Sequence, residues 1–144
     1  MILHAGLIAL YTNREWRGAL IEGPSGAGKS DLALRALELG FRLVADDHTR
    51  VWTCRGGLYG AAPPPIAGLI EGRGLGVLPM PARSMARIHL LVVCQPTDDP
   101  IERMPAQEAR SLLDIALPCL RLHALEASAP VKLRWVLSHV GGRP

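Results

Sequence analysis

The chain has 144 residues and a mass of 15.5 kDa, which predicts one domain with a buried core over residues 1–144. Hydrophobic residues make up 49% of the chain and charged residues 20%, so the composition excludes global disorder. The formal net charge is +3, but the few aromatic residues are not interleaved with basic clusters. We therefore expect no nucleic-acid partner.

The longest apolar run, residues 90–94, is far shorter than the ~20 residues of a membrane-spanning helix. The apolar N-terminus has no basic leader and no small-residue cleavage site, so we expect neither a signal peptide nor a membrane partner. Cys54, Cys94 and Cys119 are odd in number and form no C-x-x-C pair, which favours buried, reduced thiols. Together these features predict a protein of the reducing cytoplasm.

The first half of the chain predicts a strand, a glycine-rich loop, a helix and a second strand. Residues 18–22 form a short apolar run that is typical of a buried strand. Residues 30–39 carry apolar side chains at helical spacing, and Gly40 follows where a C-terminal cap residue belongs. Residues 41–45 then resume as a strand.

The second half predicts further strands and two helices. Residues 50–61 are typical of a hairpin that turns at Gly56-Gly57, and prolines 63–65 cannot join the interior of a sheet. We interpret residues 68–76 as a functional loop or strand edge. The remaining predicted elements are a strand at 87–94 and two helices, each opened by a proline, at 105–117 and 130–139. The fold class expected is α/β, a P-loop domain with a central mixed sheet flanked by helices.

The glycine-rich loop matches the pattern G-x-x-x-x-G-K-[ST] in full, between a strand and a helix as that motif requires. Its glycines let backbone N–H groups turn toward phosphate oxygens, and the helix adds the positive end of its dipole. Lys29 supplies a point charge to the β- and γ-phosphates, and the Ser30 hydroxyl is placed to ligate Mg²⁺. The alternative is a chance glycine-rich turn before a helix. We predict that ATP and Mg²⁺ bind here, at Gly23, Pro24, Ser25, Gly26, Ala27, Gly28, Lys29 and Ser30.

Two adjacent carboxylates, Asp46 and Asp47, end the strand that follows the helix. Phosphoryl transfer needs a carboxylate near the magnesium and a base near the acceptor hydroxyl. Successive side chains at a strand end point to opposite sides, so one job for both is not expected unless a turn begins between them. The alternative is a solvated acidic turn.

The segment Leu43-Val44-Ala45-Asp46-Asp47, closely following a P-loop and its helix, resembles the catalytic domain of the bacterial HPr kinase/phosphorylase family. Residues 68–76, Gly-Leu-Ile-Glu-Gly-Arg-Gly-Leu-Gly, resemble that family's signature segment, with Gly72 where a branched aliphatic residue is usual. The resemblance covers most of the chain but only the catalytic domain. The chain is similar to the short form of the family that is typical of alphaproteobacteria.

The resemblance implies roles for particular residues. Lys29 and Ser30 hold phosphates and magnesium, Asp47 accepts the proton in phosphorylation, and Glu71 is a second magnesium ligand. Without the resemblance, Glu71 and Arg73 are equally well explained as a surface ion pair. His4 resembles a histidine that lies close to the catalytic carboxylate, although a single histidine near an apolar terminus more often serves packing. Arg103 falls where the family has an arginine that steadies the transferred phosphate.

The activity implied is ATP-dependent phosphorylation of a serine on an HPr-like phosphocarrier of a phosphotransferase system, by a homo-oligomer that is a hexamer by resemblance. The reverse phosphorolysis is also implied, although residues 117–121 keep only a fragment of the proline- and arginine-rich loop tied to dephosphorylation. Two alternatives are a P-loop kinase of a small metabolite, with the segment around Glu71 shaping its pocket, and a nucleotide-sensing protein without transfer activity, in which Asp47 only helps to hold magnesium.

Overall fold

The computed structural model of the chain describes residues 1–140. The described part contains β1 Ile2–Leu3, β2 Gly6–Thr12, β3 Glu15–Glu22, α1 Lys29–Leu37, β4 Arg42–Ala45, β5 Thr49–Cys54, β6 Gly57–Ala61, β7 Leu69–Gly72, β8 Gly76–Pro79, β9 Ala86–Cys94, β10 Glu108–Leu112, β11 Ile115–Leu122 and α2 Ala129–Leu137. A short 3₁₀ turn, Pro64–Ile66, takes up the prolines. In this part of the chain, neither helix has the length and apolar character needed to cross a bilayer.

A single mixed sheet forms the centre of the molecule, in the order β1-β5-β6-β9-β3-β2-β4, with the β10–β11 hairpin added beside β9. The P-loop strand β3 is parallel to β9, and β9 is parallel to β11, so these three strands end at the same edge of the sheet. β7 and β8 pair separately as a small hairpin. The expected α/β fold with a central mixed sheet is confirmed.

Both faces of the central strands are buried, because the sheet curls over itself on one side and carries the helices on the other. Along β2, Ile8 and Leu10 pack with Leu32 of α1 and Leu133 of α2. The alternate residues Leu7 and Ala9 pack in a second cluster, against side chains of β5, β6 and β9. This alternation follows from the two-residue period of a strand.

Most predicted elements are found, with small shifts in their bounds. The strand before the P-loop, the helix after it and the C-terminal helix are confirmed as β3, α1 and α2. Gly40, the expected cap residue, has a left-handed φ of 92°, but α1 already ends at Leu37 and Glu38 occupies the cap position. The 50–61 hairpin turns one residue earlier than predicted, at Arg55 and Gly56, because these two residues have φ of 49° and 77° and Gly57 already begins β6.

The helix predicted for residues 105–117 is wrong, because this segment forms most of the β10–β11 hairpin. Leu112 pairs with Ile115 across a two-residue turn, and β11 pairs with β9 from Cys119 to Leu122. The helix-forming composition is overridden because the sheet edge at β9 accepts the strand and buries Leu117 and Leu122. Residues 117–121 are therefore part of a strand and not of a loop.

Arg17 joins the sheet to the end of α2. The buried guanidinium donates to the carbonyl oxygens of Leu137 and Val140 at 3.1 and 2.6 Å and to Glu15 Oε2 at 3.0 Å. We expect Arg17→Met to lower the free energy of unfolding by about 2 kcal/mol, because the carbonyls and the carboxylate lose their donor. Urea denaturation measures this. Arg14→Met, in the exposed β2–β3 turn, is the control, and equal losses for both variants would contradict the prediction.

Candidate functional site

The P-loop runs from the end of β3 to the start of α1 and passes close to β9. A Cβ on Gly23 would lie 2.7 Å from the Cys94 carbonyl oxygen, so this approach requires glycine. Gly28 precedes α1 with a left-handed φ of 91° and offers no side-chain cap. The first amides of α1 therefore have no side-chain acceptor at the cap position, which is the arrangement that binds anions at a helix N-terminus.

Lys29 is folded back over the loop that precedes it. Its Nζ donates to the Gly23 and Pro24 carbonyl oxygens at 2.7 and 3.1 Å. The ammonium group is thus held at the centre of the P-loop, beside the main cavity of this site, which has a volume of about 650 Å³. The end of the β7–β8 hairpin, with Glu71 in β7 and Arg73 in the turn, forms the opposite wall of this cavity.

Asp46 and Asp47 turn to different partners, as expected for successive residues at a strand end. Asp46 Oδ1 accepts from Ser30 Oγ at 2.8 Å, and its Oδ2 accepts from the Glu71 backbone N–H at 2.9 Å. Asp47 has a left-handed φ of 66°, which begins a new turn and brings its side chain to the wall of the main cavity. The sequence left the role of Asp46 open, and the structure places it behind the P-loop serine.

Two histidines flank Asp47. His4 Nε2 lies 2.7 Å from Oδ1, and His48 Nδ1 lies 3.1 Å from Oδ2. The two imidazole rings stack with their centroids 5.3 Å apart. The structure thus places His4 against the carboxylate that the resemblance makes catalytic. His48 was missed, and its only signal was its position next to Asp47 in the chain.

The other predicted site residues are less closely connected. Glu71 and Arg73 line the main cavity, and Glu71 is tied to Asp46 only through its backbone. Arg103 lies in the exposed segment between β9 and β10 and does not line that cavity, so its role stays a prediction. Within residues 1–140, no cluster of three or more His, Cys, Asp or Glu side chains is arranged to hold a metal ion by itself.

The cysteines take no part in this site. Cys94 is buried behind the P-loop, and burial raises the pKa of its thiol to about 11, so it stays protonated and unreactive. Cys54 is exposed and Cys119 is half-buried, so the expectation of three buried thiols is correct only for Cys94.

His123 joins the loops that follow β9 and β11, on the other side of the P-loop. Its Nε2 lies 2.7 Å from the Asp99 carbonyl oxygen, and its Nδ1 lies 3.3 Å from Glu126 Oε1. The backbone carbonyl, and then the carboxylate, favour the imidazolium and raise the pKa of His123. Both ring nitrogens can donate only when the ring is protonated.

We expect the stability advantage of wild type over His123→Gln to shrink as pH rises. The stabilisation from a raised histidine pKa is complete below the pKa in the unfolded chain, about 6.5, and is lost as pH rises through the folded pKa. His89→Gln is the control of opposite sign, because burial lowers the pKa of His89 and stability is lost as pH falls through about 6.5. Urea denaturation between about pH 5.5 and 8.5 measures both trends, and parallel trends would contradict the prediction.

The fold and this site define an α/β P-loop domain with two carboxylates, Asp46 and Asp47, beside its P-loop. The family model described as HPr Serine kinase C-terminal domain matches residues 1–127, and the chain belongs to this family. The expected family is thus confirmed.

Relatives and a solved structure agree with this assignment. The chain is 41% identical over 80 residues to the HPr kinase/phosphorylase of Clostridium tetani, a match that covers 56% of this chain and 25% of that protein. It is 42% identical over 77 residues to the HPr kinase/phosphorylase of Lacticaseibacillus casei, covering 53% and 23%. The matched region thus spans about a quarter of these relatives. The Hpr(Ser) kinase/phosphatase structure from Coxiella burnetii shares the fold, with a TM-score of 0.78, 22% identity and coverage of 94% and 93%.

Proposed function

We propose that this chain transfers the γ-phosphoryl group of ATP, with Mg²⁺, to a serine of an HPr-like phosphocarrier in the cytoplasm. The observation that carries the proposal is that the two aspartates after β4 have different surroundings. Asp46 faces the P-loop serine, whereas Asp47 lines the main cavity and is open to solvent, with 51% of its side chain exposed. Family membership and the names of the relatives support the choice of HPr.

The oxygen donors near the P-loop fit a magnesium ion. Mg²⁺ prefers carboxylate and hydroxyl oxygens together with substrate phosphates. Ser30 Oγ would be a direct ligand, held in place by Asp46 at 2.8 Å, and Glu71 would approach from the opposite wall. Magnesium supplies, when bound, positive charge that offsets the charge of the phosphate oxygens. The Lys29 ammonium group would also offset the charge of these phosphate oxygens. To reach them, it would give up its hydrogen bond to the Gly23 carbonyl oxygen.

Asp47 is the base in this proposal. As the bond between the serine oxygen and the γ-phosphorus forms, the bond from that phosphorus to the oxygen of ADP breaks, and the serine proton passes to the Asp47 carboxylate. His4 and His48 hold the two carboxylate oxygens, which orients the side chain before the acceptor arrives. By resemblance, Arg103 steadies the transferred phosphate.

We propose the reverse phosphorolysis as a second activity of the same site. The names of the relatives, HPr kinase/phosphorylase, support this second activity. In that direction an oxygen of inorganic phosphate bonds to the phosphorus of the phosphoserine, the bond from that phosphorus to the serine oxygen breaks, Asp47 donates its proton to that oxygen, and pyrophosphate is released. The protein is further proposed to be a homo-oligomer, a hexamer by resemblance. Val131 and Trp135, exposed apolar residues of α2, support self-association, which size-exclusion chromatography with light scattering measures.

Mass spectrometry of an HPr-type carrier, incubated with the protein and Mg-ATP, tests the proposed function. The expected product carries one phosphate on a serine and none on the carrier's histidine. Phosphate on a small metabolite instead of the carrier would favour the metabolite kinase. ATP binding without transfer to either acceptor would favour the nucleotide sensor.

A further inference from the structure

A second, smaller cavity of about 180 Å³ adjoins the main cavity on the other side of the P-loop. Ser25, Gly26 and Leu125 line both cavities, so the two spaces adjoin each other at the P-loop. The smaller cavity is below the size range of about 300–1,000 Å³ that is usual for whole small-molecule ligands. It therefore has room for part of a ligand whose remainder lies in the main cavity.

The walls of this second cavity come from two neighbouring strand ends. Residues 95–97 follow β9, and Ala124 and Leu125 follow β11. Because β3, β9 and β11 are parallel, these loops lie beside the P-loop at one edge of the sheet. Ligands of open α/β sheets bind in the crevice outside the carboxyl ends of such strands.

Leu125 is an exposed apolar side chain on a backbone that is held in place. Arg35 of α1 donates to the Ala124 carbonyl and, at 3.1 Å, to the Glu126 carbonyl, on either side of it. The side chain lies over the P-loop, since a Cβ on Gly28 would be 2.7 Å from Leu125 Cδ2. Its exposed fraction is 56%. A fixed apolar surface beside a phosphate site needs no ordering to receive a ring, which favours binding.

The remaining lining suits a flat heteroaromatic ring. Pro24, Ala27 and Pro96 add apolar surface, and two residues with polar side chains, Thr97 and Gln95, also line the cavity. The Gln95 Nε2 makes only long hydrogen bonds, 3.3 and 3.5 Å, to backbone carbonyls. His123 connects the two loops through the Asp99 carbonyl and is itself in contact with Glu126 of its own loop.

We propose that this second cavity receives the purine base of the nucleotide whose phosphates lie on the P-loop, with Leu125 packed against the face of the ring. The inference rests on the proposed function in taking the ligand to be a nucleoside triphosphate. It goes beyond it by assigning the base to a place that the P-loop motif does not specify. Leu125 is then a binding residue for the base and has no part in phosphate binding.

Isothermal titration calorimetry with ATP and with inorganic tripolyphosphate, both with Mg²⁺, separates the base from the phosphates. In wild type we expect ATP to bind more tightly than tripolyphosphate. Leu125→Ala is expected to raise the Kd for ATP about tenfold and to leave the Kd for tripolyphosphate within about twofold. Leu113→Ala is the matched control, because Leu113 is an exposed leucine of the β10–β11 turn and lines neither of these cavities. It should change neither constant.

Three outcomes would overturn the inference: tripolyphosphate binding wild type as tightly as ATP, equal losses of both ligands in Leu125→Ala, or no loss of either. A direct measurement on wild type does not depend on the variant. Nuclear Overhauser contacts are expected between the Leu125 methyl groups and the purine ring protons of bound ATP, and their absence at saturation would also overturn it. These experiments need no protein acceptor. If HPr gains no phosphate while the ATP-specific loss is found, the proposed function fails and the base site stands.

Discussion

Asp47→Asn is expected to lower the rate of phosphoryl transfer to the carrier by about 10²- to 10⁴-fold, the usual contribution of a general base. The amide keeps the size of the side chain but cannot take the serine proton. Asparagine also tolerates the left-handed φ of 66°, so the backbone is expected to stay as it is. Mass spectrometry of the carrier over time gives the rate, and calorimetry gives the Kd for ATP, which should stay within about twofold.

Asp114→Asn is a matched control for this change. Asp114 also has a left-handed backbone, with φ of 64°, but it lies in the β10–β11 turn and lines none of the described cavities. Both variants therefore lose one carboxylate at the same kind of backbone position, and only Asp47→Asn should slow transfer. Unchanged transfer in Asp47→Asn would remove Asp47 as the base and favour the nucleotide-sensing alternative.

Lys29→Met is expected to weaken ATP binding between about tenfold and hundredfold, because a hydrogen bond to a charged group contributes about 1.5–3 kcal/mol. Methionine keeps most of the chain length and removes the ammonium group at the centre of the P-loop. Transfer to the carrier should fall at least as far, since the same charge acts on the transferring phosphoryl group. Calorimetry with Mg-ATP measures the binding constant.

The chain offers its second lysine as the control for this change. Lys132 pairs with Glu126 Oε2 at 2.9 Å on the exposed side of α2, where an ion pair contributes ~0–1 kcal/mol. Lys132→Met removes the same charge and should leave the Kd for ATP unchanged. Equal losses in the two variants would mean that Lys29 acts through the net charge of the protein and not through the P-loop.

The residues in the turns determine which of the two hairpins could be predicted from the sequence. The β5–β6 hairpin was predictable because Gly56 marks a turn in which both central residues have positive φ. The β10–β11 hairpin has the same kind of turn at Leu113 and Asp114, with φ of 49° and 64°, but no glycine marks it. Alanine, leucine and arginine around it favour a helix, and only the pairing of β11 with β9 decides against one.

The site was predictable where its residues are neighbours in the chain. Lys29 and Ser30 belong to one motif, and its place between a strand and a helix was enough to predict their position. The contact of Asp46 with Ser30 and that of Asp47 with His4 join residues 16 and 43 positions apart. Both contacts depend on the turn that begins at Asp47. The periodicity of apolar residues in the sequence carries no information about this turn. Leu125 gave no signal, because an isolated leucine after a strand is ordinary.

Because the Asp47 side chain is exposed to solvent, water can compete with the acceptor at this carboxylate. With 51% of its side chain exposed, the carboxylate is in contact with bulk water whenever the acceptor is away. An enzyme that encloses its reactants keeps water out by closure. At the proposed site, the acceptor serine would therefore have to displace the solvent around Asp47 when its protein docks. A slow background hydrolysis of ATP, suppressed by the carrier, is the expected signature of such a site.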